Sequence, residues 1–233
     1  MRLNAIPRGW CNTLAPMEQQ PRETHDVSIP PIGLPGILDI PREANAIVVF
    51  AHGSGSSRLS PRNTAVARAL NARQIATLLF DLLTPAEESN RANVFDIPLL
   101  VRRLLDVVDW LDGQPSVSGL PIGLFGASTG AAAALAAAAK LPHRVKAVVV
   151  RGGRPDLAGD VIEQVRAPTL LMVGGVDFGV IELNKQALAR LQGPKALKII
   201  PGASHLFPEP GALEAVIEYA ATWFEKNLRP SVR

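Results

Sequence analysis

The chain of 233 residues is poor in the features that mark several common classes of protein. It has a single cysteine, Cys11, so it cannot form an internal disulfide, and this scarcity favours a reducing, cytoplasmic location. Its apolar stretches are shorter than the roughly 20 residues that a membrane-spanning helix needs, and none near the start has the length of a signal-peptide core. The sequence therefore predicts a cytoplasmic protein without a membrane partner.

Basic residues are scattered along the chain. The 24 lysines and arginines exceed the 21 acidic residues by three, and they form no continuous run. Proteins that bind nucleic acids concentrate this charge on one segment or face, so the sequence predicts no nucleic-acid partner. With 47% hydrophobic residues, a chain of this length can bury a large core.

From residue 46 onward, short β-branched runs alternate with amphipathic segments. Helix signals include Ser60 followed by Pro61, and an apolar stripe at three- and four-residue steps that begins near Asp96. Two runs near the start, VSIP and GILDI, predict an antiparallel hairpin at the edge of a sheet. Six runs are apolar over most of their length, as strands buried on both faces of a parallel sheet are: 46–53, 75–81, 121–126, 146–153, 168–175 and 196–202.

This alternation predicts an α/β fold with a doubly wound, mostly parallel sheet. Residues 27–233 are predicted to form a single domain. Residues 1–26 are polar, interrupted by prolines and without hydrophobic periodicity, which predicts an N-terminal extension that favours disorder. Ligands of doubly wound sheets bind beyond the carboxyl ends of the strands, so the residues that follow each strand are the candidate site residues.

The segment FGASTGAAAALAAAAK, residues 125–140, places Ser128 between two glycines after a predicted strand. A Gly-x-Ser-x-Gly sequence between a buried strand and a helix is typical of a nucleophile elbow, in which the serine occupies a strained turn. Gly126 and Gly130 are small enough for the strand and the helix to approach each other, and the alanines extend this property along the helix. On its own, the motif also fits an ordinary capped turn.

A serine nucleophile needs a base that takes its proton and a carboxylate that orients the base. His205 follows the last predicted strand and Asp177 follows the strand before it, which gives the chain order Ser128, Asp177, His205. These three residues are the predicted catalytic triad. The alternative acids are Asp156 and Asp160, but both fall inside a predicted helix.

The other three histidines are weaker candidates for the base. His25 lies in the N-terminal region, His143 in a connection between a helix and a strand, and His52 directly before a glycine-rich loop. The base of a triad in this order follows the last strand, where only His205 stands.

Acyl transfer also needs hydrogen-bond donors for the developing oxyanion. The sequence predicts the backbone N–H of Thr129, at the start of the alanine-rich helix, and that of Ser54, in the loop after the first central strand. Gly53 and Gly55 leave the backbone of that loop free to bend. The loop lacks the third glycine of a dinucleotide-binding fingerprint and the Gly-Lys-Ser/Thr of a phosphate-binding loop.

Residues from about 27 to 228 resemble the α/β-hydrolases and, within that superfamily, the dienelactone-hydrolase-like branch. The resemblance rests on four segments in this order: AHGSGSSR, FGASTG, VGGVD and GASHLF. It implies hydrolysis of small acyl compounds, with an acyl-enzyme intermediate and with neither a metal nor an organic cofactor. The expected partner is a small-molecule ester or lactone, and no oligomeric state is predicted.

The chain departs from dienelactone hydrolase proper at three places. Ser128 stands where those enzymes use cysteine, and Gly53 stands where they carry a glutamate. Residues 206–209, Leu-Phe-Pro-Glu, follow the histidine where those enzymes place an arginine that holds a substrate carboxylate. Dienelactone is therefore not the expected substrate. The segment RGGRPDLAGDVIEQVRAP has room for one short helix, which predicts that no lid domain covers the site.

Two arginines are candidate substrate-binding residues. Residues 53–58, which carry the Ser54 N–H, are called the oxyanion loop. Arg58 is the last residue of this loop and Arg151 directly follows a central strand, so both are expected near the site, where they would hold a carboxylate or a phosphate. The alternative is structural: Arg151 or Arg154 pairs with Asp156 or Asp81 and fixes loops in place.

Three functions remain open on the sequence alone. The leading prediction is a serine esterase, lactonase or related acyl hydrolase. The second is a catalytically inactive α/β-hydrolase fold that binds a ligand, although an intact triad argues against it. The third is an acyltransferase or perhydrolase that uses the same triad with another acceptor.

Overall fold

The computed structural model of the protein describes residues 22–228. Within this range the strands are short, and the central ones are buried along their whole length. The strands are β1 (Arg22–Ile29), β2 (Leu34–Pro41), β3 (Ala46–Ala51), β4 (Ile75–Phe80), β5 (Ile122–Ala127), β6 (Val145–Arg151), β7 (Thr169–Gly174) and β8 (Lys195–Ile200).

The strands form one eight-stranded sheet in the order β1-β2-β4-β3-β5-β6-β7-β8. β2 pairs antiparallel with β1 and with β4, whereas the other neighbouring strands are parallel. The predicted doubly wound, mostly parallel sheet and its antiparallel edge hairpin are therefore confirmed.

The edge hairpin begins earlier than the sequence predicts. β1 starts at Arg22, which lies opposite Pro41, and the pairing continues without interruption to Ile29. Residues 22–26 thus belong to the sheet, and the predicted boundary of the extension after residue 26 is wrong. An edge strand is held by backbone hydrogen bonds on one side and needs few apolar residues, so its polar sequence resembles that of a tail. The rest of the predicted extension, residues 1–21, lies outside the described residues.

Helices cover both faces of the sheet. They are α1 (Pro61–Asn71), α2 (Pro85–Glu88), α3 (Arg91–Val94), α4 (Ile97–Asp112), α5 (Thr129–Lys140), α6 (Phe178–Arg190) and α7 (Ala212–Asn227), with a 3-10 segment at Pro155–Gln164. Apolar residues of α1 and α7 pack on one face, and those of α4, α5 and the 3-10 segment pack on the other. In residues 22–228, no helix combines the length and apolarity needed to cross a membrane.

The alanine-rich helix α5 lies deep in the molecule. All its residues from Thr129 to Ala139 are buried, between the sheet, α4 and the 3-10 segment. Eight of the nine residues from 131 to 139 are alanine, so the helix axis can approach its neighbours closely. The absence of large side chains is therefore a packing requirement of this position.

The connection between β6 and β7 contains only the 3-10 segment. This confirms the predicted absence of a lid domain. The polar stretch after β4 holds the two short helices α2 and α3. Each begins with a side-chain cap, from Thr84 and Asn90 respectively.

Candidate active site

Ser128 occupies the tight turn between β5 and α5. Its backbone has φ +50° and ψ −120°, a conformation that non-glycine residues rarely adopt and that costs on the order of 1–3 kcal/mol. The flanking glycines make the turn possible. A Cβ at Gly126 would lie 2.6 Å from the Cα of Ala131, and one at Gly130 would overlap the carbonyl oxygen of Ala51. The strained turn expected of a nucleophile elbow is therefore present.

Asp177 and His205 meet at the same edge of the sheet. Asp177 follows β7 and His205 follows β8, and Nδ1 of His205 lies 2.7 Å from Oδ2 of Asp177. Because a carboxylate only accepts hydrogen bonds, Nδ1 is the protonated ring nitrogen in this pair. The other nitrogen, Nε2, is left as the basic atom. The His205 side chain is 39% exposed, so the ring is accessible to a substrate.

The loop after β6 connects Ser128 with His205. The backbone N–H of Ser128 donates to the carbonyl of Arg151 at 3.3 Å, and that of Arg154 donates to the carbonyl of Ser128 at 3.0 Å. Between them, Gly152 has φ +52°, and a Cβ there would lie 3.5 Å from the His205 ring. Ser128 and His205 thus contact the same short segment. Among the described residues, the hydrogen bond between Ser128 Oγ and His205 Nε2 is not formed; in ligand-free enzymes such bonds are often long.

The two predicted oxyanion donors lie side by side, but they are not equally free. A Cβ at Gly53 would lie 2.8 Å from the Cβ of Ser128, so the backbone of the loop after β3 is adjacent to the serine side chain. As the first residue of α5, Thr129 has no intrahelical acceptor for its N–H. The N–H of Ser54, in contrast, donates to Oγ1 of Thr129 at 3.0 Å. The sequence did not indicate this contact.

His52 has a structural role that the sequence analysis missed. It is buried, its Nε2 accepts the backbone N–H of Leu82 at 3.0 Å, and its Nδ1 lies 2.9 Å from the carbonyl of Gly53. Because a backbone N–H can only donate, Nε2 is unprotonated and the ring is neutral. His52 therefore joins the oxyanion loop to the segment after β4 and is not a second catalytic base.

Arg58 is held by Asp81. The backbone N–H of Arg58 donates to Oδ1 of Asp81 at 2.6 Å, and its guanidinium forms an ion pair with Oδ2. Asp81 immediately follows β4, so the pair connects the loops after β3 and β4. Arg58 therefore fixes loops in place. The sequence suggested this structural role for Arg151 and Arg154, and not for Arg58.

Both alternative acids, Asp156 and Asp160, pair with arginines. Arg154 pairs with Asp156, one of the structural pairs that the sequence left open, and Asp160 pairs with Arg190 on α6. Neither aspartate is therefore paired with His205 as its acid. Arg151 differs from the other arginines: it is 6% exposed and donates only a long hydrogen bond, 3.4 Å, from Nη2 to Oδ1 of Asn63.

Glu209 supports the loop that carries His205. Its carboxylate accepts the backbone N–H of Ser204 at 3.0 Å, and hydrogen bonds from Ser204 hold the pKa of Glu209 below its ordinary value. This residue occupies the stretch where dienelactone hydrolases place a substrate-binding arginine. Here the stretch fixes the loop instead.

A cleft of about 320 Å³ opens beside the oxyanion loop, on the side of the sheet covered by α4. Ser54 and Thr129 lie at its catalytic end, and the Arg58–Asp81 pair lines it. Its apolar wall is formed by Pro35, Leu82, Leu83, Pro85, Val94 and Leu100.

Large apolar side chains are also exposed on the loops at this edge. Phe178, directly after Asp177, is 74% exposed, and Leu206, directly after His205, is 47% exposed. Leu59 and Val176 are exposed on neighbouring loops. In the part of the chain that the structure describes, no group of three histidine, cysteine or acidic residues is arranged to hold a metal ion.

Comparison with known proteins finds one matching family model and several solved structures with a similar fold. A family model described as an alpha/beta hydrolase domain matches residues 44–215. A crystal structure of a dienelactone hydrolase from Anabaena variabilis is 53% identical, covers 91% of this chain and 100% of its own, and superposes with a TM-score of 0.86. The structure of Est1E from Butyrivibrio proteoclasticus is 19% identical, with a TM-score of 0.74 over 88% of this chain and 98% of its own.

Among curated proteins, one from Mycobacterium tuberculosis named "putative phosphoribosyl transferase" is 59% identical over 198 residues. The aligned part is 85% of this chain and 45% of the relative. An uncharacterized protein from the same organism is 29% identical over 185 residues, 70% of this chain and 63% of its own. The chain thus spans less than half of the length of the more similar relative.

Proposed function

The chain belongs to the α/β-hydrolase family, and from this premise we propose that it is a serine-dependent acyl hydrolase acting on small esters or lactones. The observation that carries the proposal is the strained Ser128 at the same edge of the sheet as a hydrogen-bonded His205–Asp177 pair. Folding alone gives no reason to combine a serine at positive φ with a histidine oriented by a carboxylate at one edge.

In the proposed mechanism, Oγ of Ser128 attacks the substrate carbonyl carbon while Nε2 of His205 takes the hydroxyl proton. Asp177 keeps Nδ1 protonated and stabilises the imidazolium. Collapse of the tetrahedral intermediate breaks the bond to the leaving oxygen, which receives the proton from Nε2, and leaves an acyl group on Ser128. Water, deprotonated by His205, then releases the acid and restores the serine.

The proposed oxyanion hole consists of the N–H groups of Thr129 and Ser54. The Ser54 N–H already has an acceptor in the Thr129 hydroxyl, so the oxyanion must either share this hydrogen or displace the hydroxyl. Until then, the hydroxyl keeps the loop backbone in place next to Ser128. We therefore assign Thr129 two tasks: its N–H stabilises charge and its side chain positions the second donor.

The cleft beside the oxyanion loop is the proposed subsite for an uncharged part of the substrate. Its wall is mainly apolar, and the positive charge of Arg58 is neutralised by Asp81. The one other charged residue among the described residues that line it, Glu88, is exposed and would repel an anionic group. Without a lid, a long alkyl chain would leave this cleft and lie in solvent. The proposed substrates therefore carry a short apolar group on this side.

An acyltransferase or perhydrolase would share the first half of this mechanism and differ only in the acceptor. Hydrolysis is preferred because His205 is accessible to solvent and, within residues 22–228, the connection between β6 and β7 inserts no lid that would exclude water from the acyl group. An inactive binding fold has no comparable support, since it would not need the His205–Asp177 hydrogen bond.

The name of the M. tuberculosis relative, a putative phosphoribosyl transferase, is compatible with a hydrolase function for this chain. The 198 aligned residues necessarily include most of residues 44–215, the segment that the hydrolase model matches. Over half of the relative lies outside the alignment, so its name describes a longer protein than the part that aligns with this chain. The expected cytoplasmic location of the present chain remains part of the proposal.

The proposal is tested with purified protein on a panel of short esters and lactones. Wild type and Ser116→Ala, a control at an exposed serine, should hydrolyse at least one member of the panel, whereas Ser128→Ala should not. Adding an alcohol or hydrogen peroxide separates the acceptors: a hydrolase gives mainly free acid. Hydrolysis by Ser128→Ala at the wild-type rate would exclude the proposed mechanism.

A further inference from the structure

Arg151 is the most unusual buried polar residue outside the triad. It is 6% exposed, its guanidinium carbon lies 5.9 Å from the centre of the Phe207 ring, and its Nε is buried without a hydrogen-bond partner. The long hydrogen bond to Asn63 is to a neutral group. Among residues 22–228, no carboxylate forms an ion pair with Arg151.

A second arginine, Arg62, directly precedes Asn63, the residue of α1 that contacts Arg151. Arg62, in the first turn of α1, is partly buried, and its Nε is also buried without a partner. Burial and the positive charge of Arg62 lower the pKa of Arg151 to about 10. Within the described part of the chain, Arg62 likewise has no carboxylate partner. Two arginines from neighbouring parts of the fold thus have no carboxylate partner among residues 22–228, and each has a buried Nε without a hydrogen bond.

Other arginines at this edge of the sheet do have carboxylate partners. Arg58 pairs with Asp81 and Arg154 pairs with Asp156, although both are more exposed than Arg151. A buried cation is costly unless it is paired, and two adjacent cations raise that cost. An anion bound between them would offset it, since a guanidinium presents two parallel N–H donors to a carboxylate or phosphate.

Arg151 lies next to Ser128 through its backbone. Arg151 is the last residue of β6, its carbonyl accepts the N–H of Ser128, and the next residue, Gly152, contacts His205. Its side chain contacts Asn63 of α1 and Phe207, on the face covered by α1 and α7. The apolar cleft lies on the α4 side. The two features therefore flank the catalytic serine from opposite faces of the sheet.

We propose that Arg62 and Arg151 form an anion-binding site that takes a carboxylate or phosphate group of the substrate. The statement that the substrate carries the anion rests on the proposed hydrolase function, whereas the binding of an anion does not. Together with the cleft, the site defines a substrate class: an ester or lactone with a short apolar group on one side and an anionic group on the other.

Anion binding is tested without any ester. Inorganic phosphate is titrated at constant ionic strength while thermal unfolding is followed, for wild type, Arg62→Gln and Arg68→Gln. Arg68 is an exposed arginine on the same helix, so both variants change the net charge equally. Phosphate should raise the Tm of wild type and Arg68→Gln, and at least tenfold more phosphate should be needed in Arg62→Gln. Equal responses of all three proteins, or no response in any, would overturn the site.

Arg151→Lys tests the buried partner, because lysine keeps the charge but loses the planar fork of donors. If the variant folds, it should also need at least tenfold more phosphate. If it fails to fold, the comparison of Arg62→Gln with Arg68→Gln still decides the proposal. Wild-type phosphate affinity in a folded Arg151→Lys would exclude Arg151 from the site.

Kinetics distinguish a substrate group from a free anion. An aryl hemisuccinate is compared with its neutral methyl ester, and the ratio of their kcat/KM values should fall at least tenfold in Arg62→Gln but not in Arg68→Gln. Phosphate should compete with the hemisuccinate. Phosphate binding through Arg62 with an unchanged ratio would overturn the substrate assignment in favour of a free anion. If wild type hydrolyses no ester, the function proposed above fails, while the phosphate titration still decides the anion site.

Discussion

The loops on the two sides of Ser128 use their polar residues differently. On the side of β7 and β8, the Asp177–His205 hydrogen bond leaves the second ring nitrogen of the histidine free and accessible. On the side of β3 and β4, the polar groups satisfy one another: His52 binds Leu82, and Arg58 binds Asp81. The first side therefore leaves an atom free for a substrate, whereas the pairs on the second side hold the loops after β3 and β4 in place.

The largest effect is expected from the base. His205→Ala should lower kcat for a short activated ester by on the order of 10⁵–10⁶, because the triad acts as a unit. His143→Ala, which changes an exposed histidine in the loop before β6, is the control and should retain wild-type activity. Both proteins should unfold within about 1 kcal/mol of wild type in denaturant. Substantial activity in His205→Ala would show that His205 is not the catalytic base.

Asp177→Asn should cost less, roughly 10³–10⁴ in kcat, because the amide retains the shape but favours the wrong histidine tautomer. Asp160→Asn is a matched control, since its side chain is fully exposed and pairs only with Arg190. Steady-state kinetics of the two variants separate the acid of the triad from the alternative that the sequence left open. A larger loss in Asp160→Asn than in Asp177→Asn would reverse the assignment.

Thr129 tests the contact between the loop after β3 and the start of α5. Thr129→Val removes the acceptor of the Ser54 N–H and should lower kcat roughly tenfold, less than the 10²–10³ expected from losing an oxyanion donor outright. Thr129→Ser keeps the hydroxyl and should restore most of the rate. The KM should change little in either variant. An increase in kcat for Thr129→Val would mean that the hydroxyl blocks the Ser54 donor instead of positioning it.

Arg58 and Asp81 should affect stability more than catalysis. In a double-mutant cycle of Arg58→Gln and Asp81→Asn, urea unfolding should give a coupling free energy of about 1 kcal/mol, the upper end for partly exposed pairs. Neither single variant should change the preference between anionic and neutral esters. If Arg58→Gln weakens anionic substrates alone without loss of stability, Arg58 binds substrate after all.

The smallest effect concerns acyl chain length. Each buried CH₂ adds about 0.8 kcal/mol, but this gain should stop once a chain extends beyond the cleft. In a series from acetate to dodecanoate esters, kcat/KM should be highest among the short chains. A steady rise up to dodecanoate would require an apolar surface beyond the cleft, and the exposed Phe178 and Leu206 would be the first residues to examine.

The sequence predicted what local rules determine. Gly126 and Gly130 indicated that β5 and α5 approach each other closely, and the alternation of apolar runs with amphipathic segments predicted the parallel sheet. Asp177 and His205 could be chosen because the carboxyl ends of parallel strands share one edge, which makes position after a strand informative. Their hydrogen bond is therefore a consequence of topology that sequence order already implies.

The pairings on the other side could not be predicted in this way. The hydrogen bond from Ser54 to Thr129 joins residues 75 positions apart, and the contact of Arg151 with Asn63 joins residues 88 positions apart. Neither follows from a local pattern, because each depends on how two loops or a loop and a helix face each other. Arg58 and Arg151 look alike in the sequence, yet Arg58 pairs with the carboxylate of Asp81 and Arg151 contacts the neutral Asn63 and the Phe207 ring.

The central claim is that Ser128 is a nucleophile activated by the histidine side of the site. The direct measurement is reaction of the folded protein with a fluorophosphonate probe, followed by peptide mapping with mass spectrometry. We predict one adduct, on Ser128, that is lost in Ser128→Ala and forms far more slowly in His205→Ala but at the normal rate in His143→Ala. An unlabelled protein, or labelling of another serine such as Ser54 in preference to Ser128, would contradict the account.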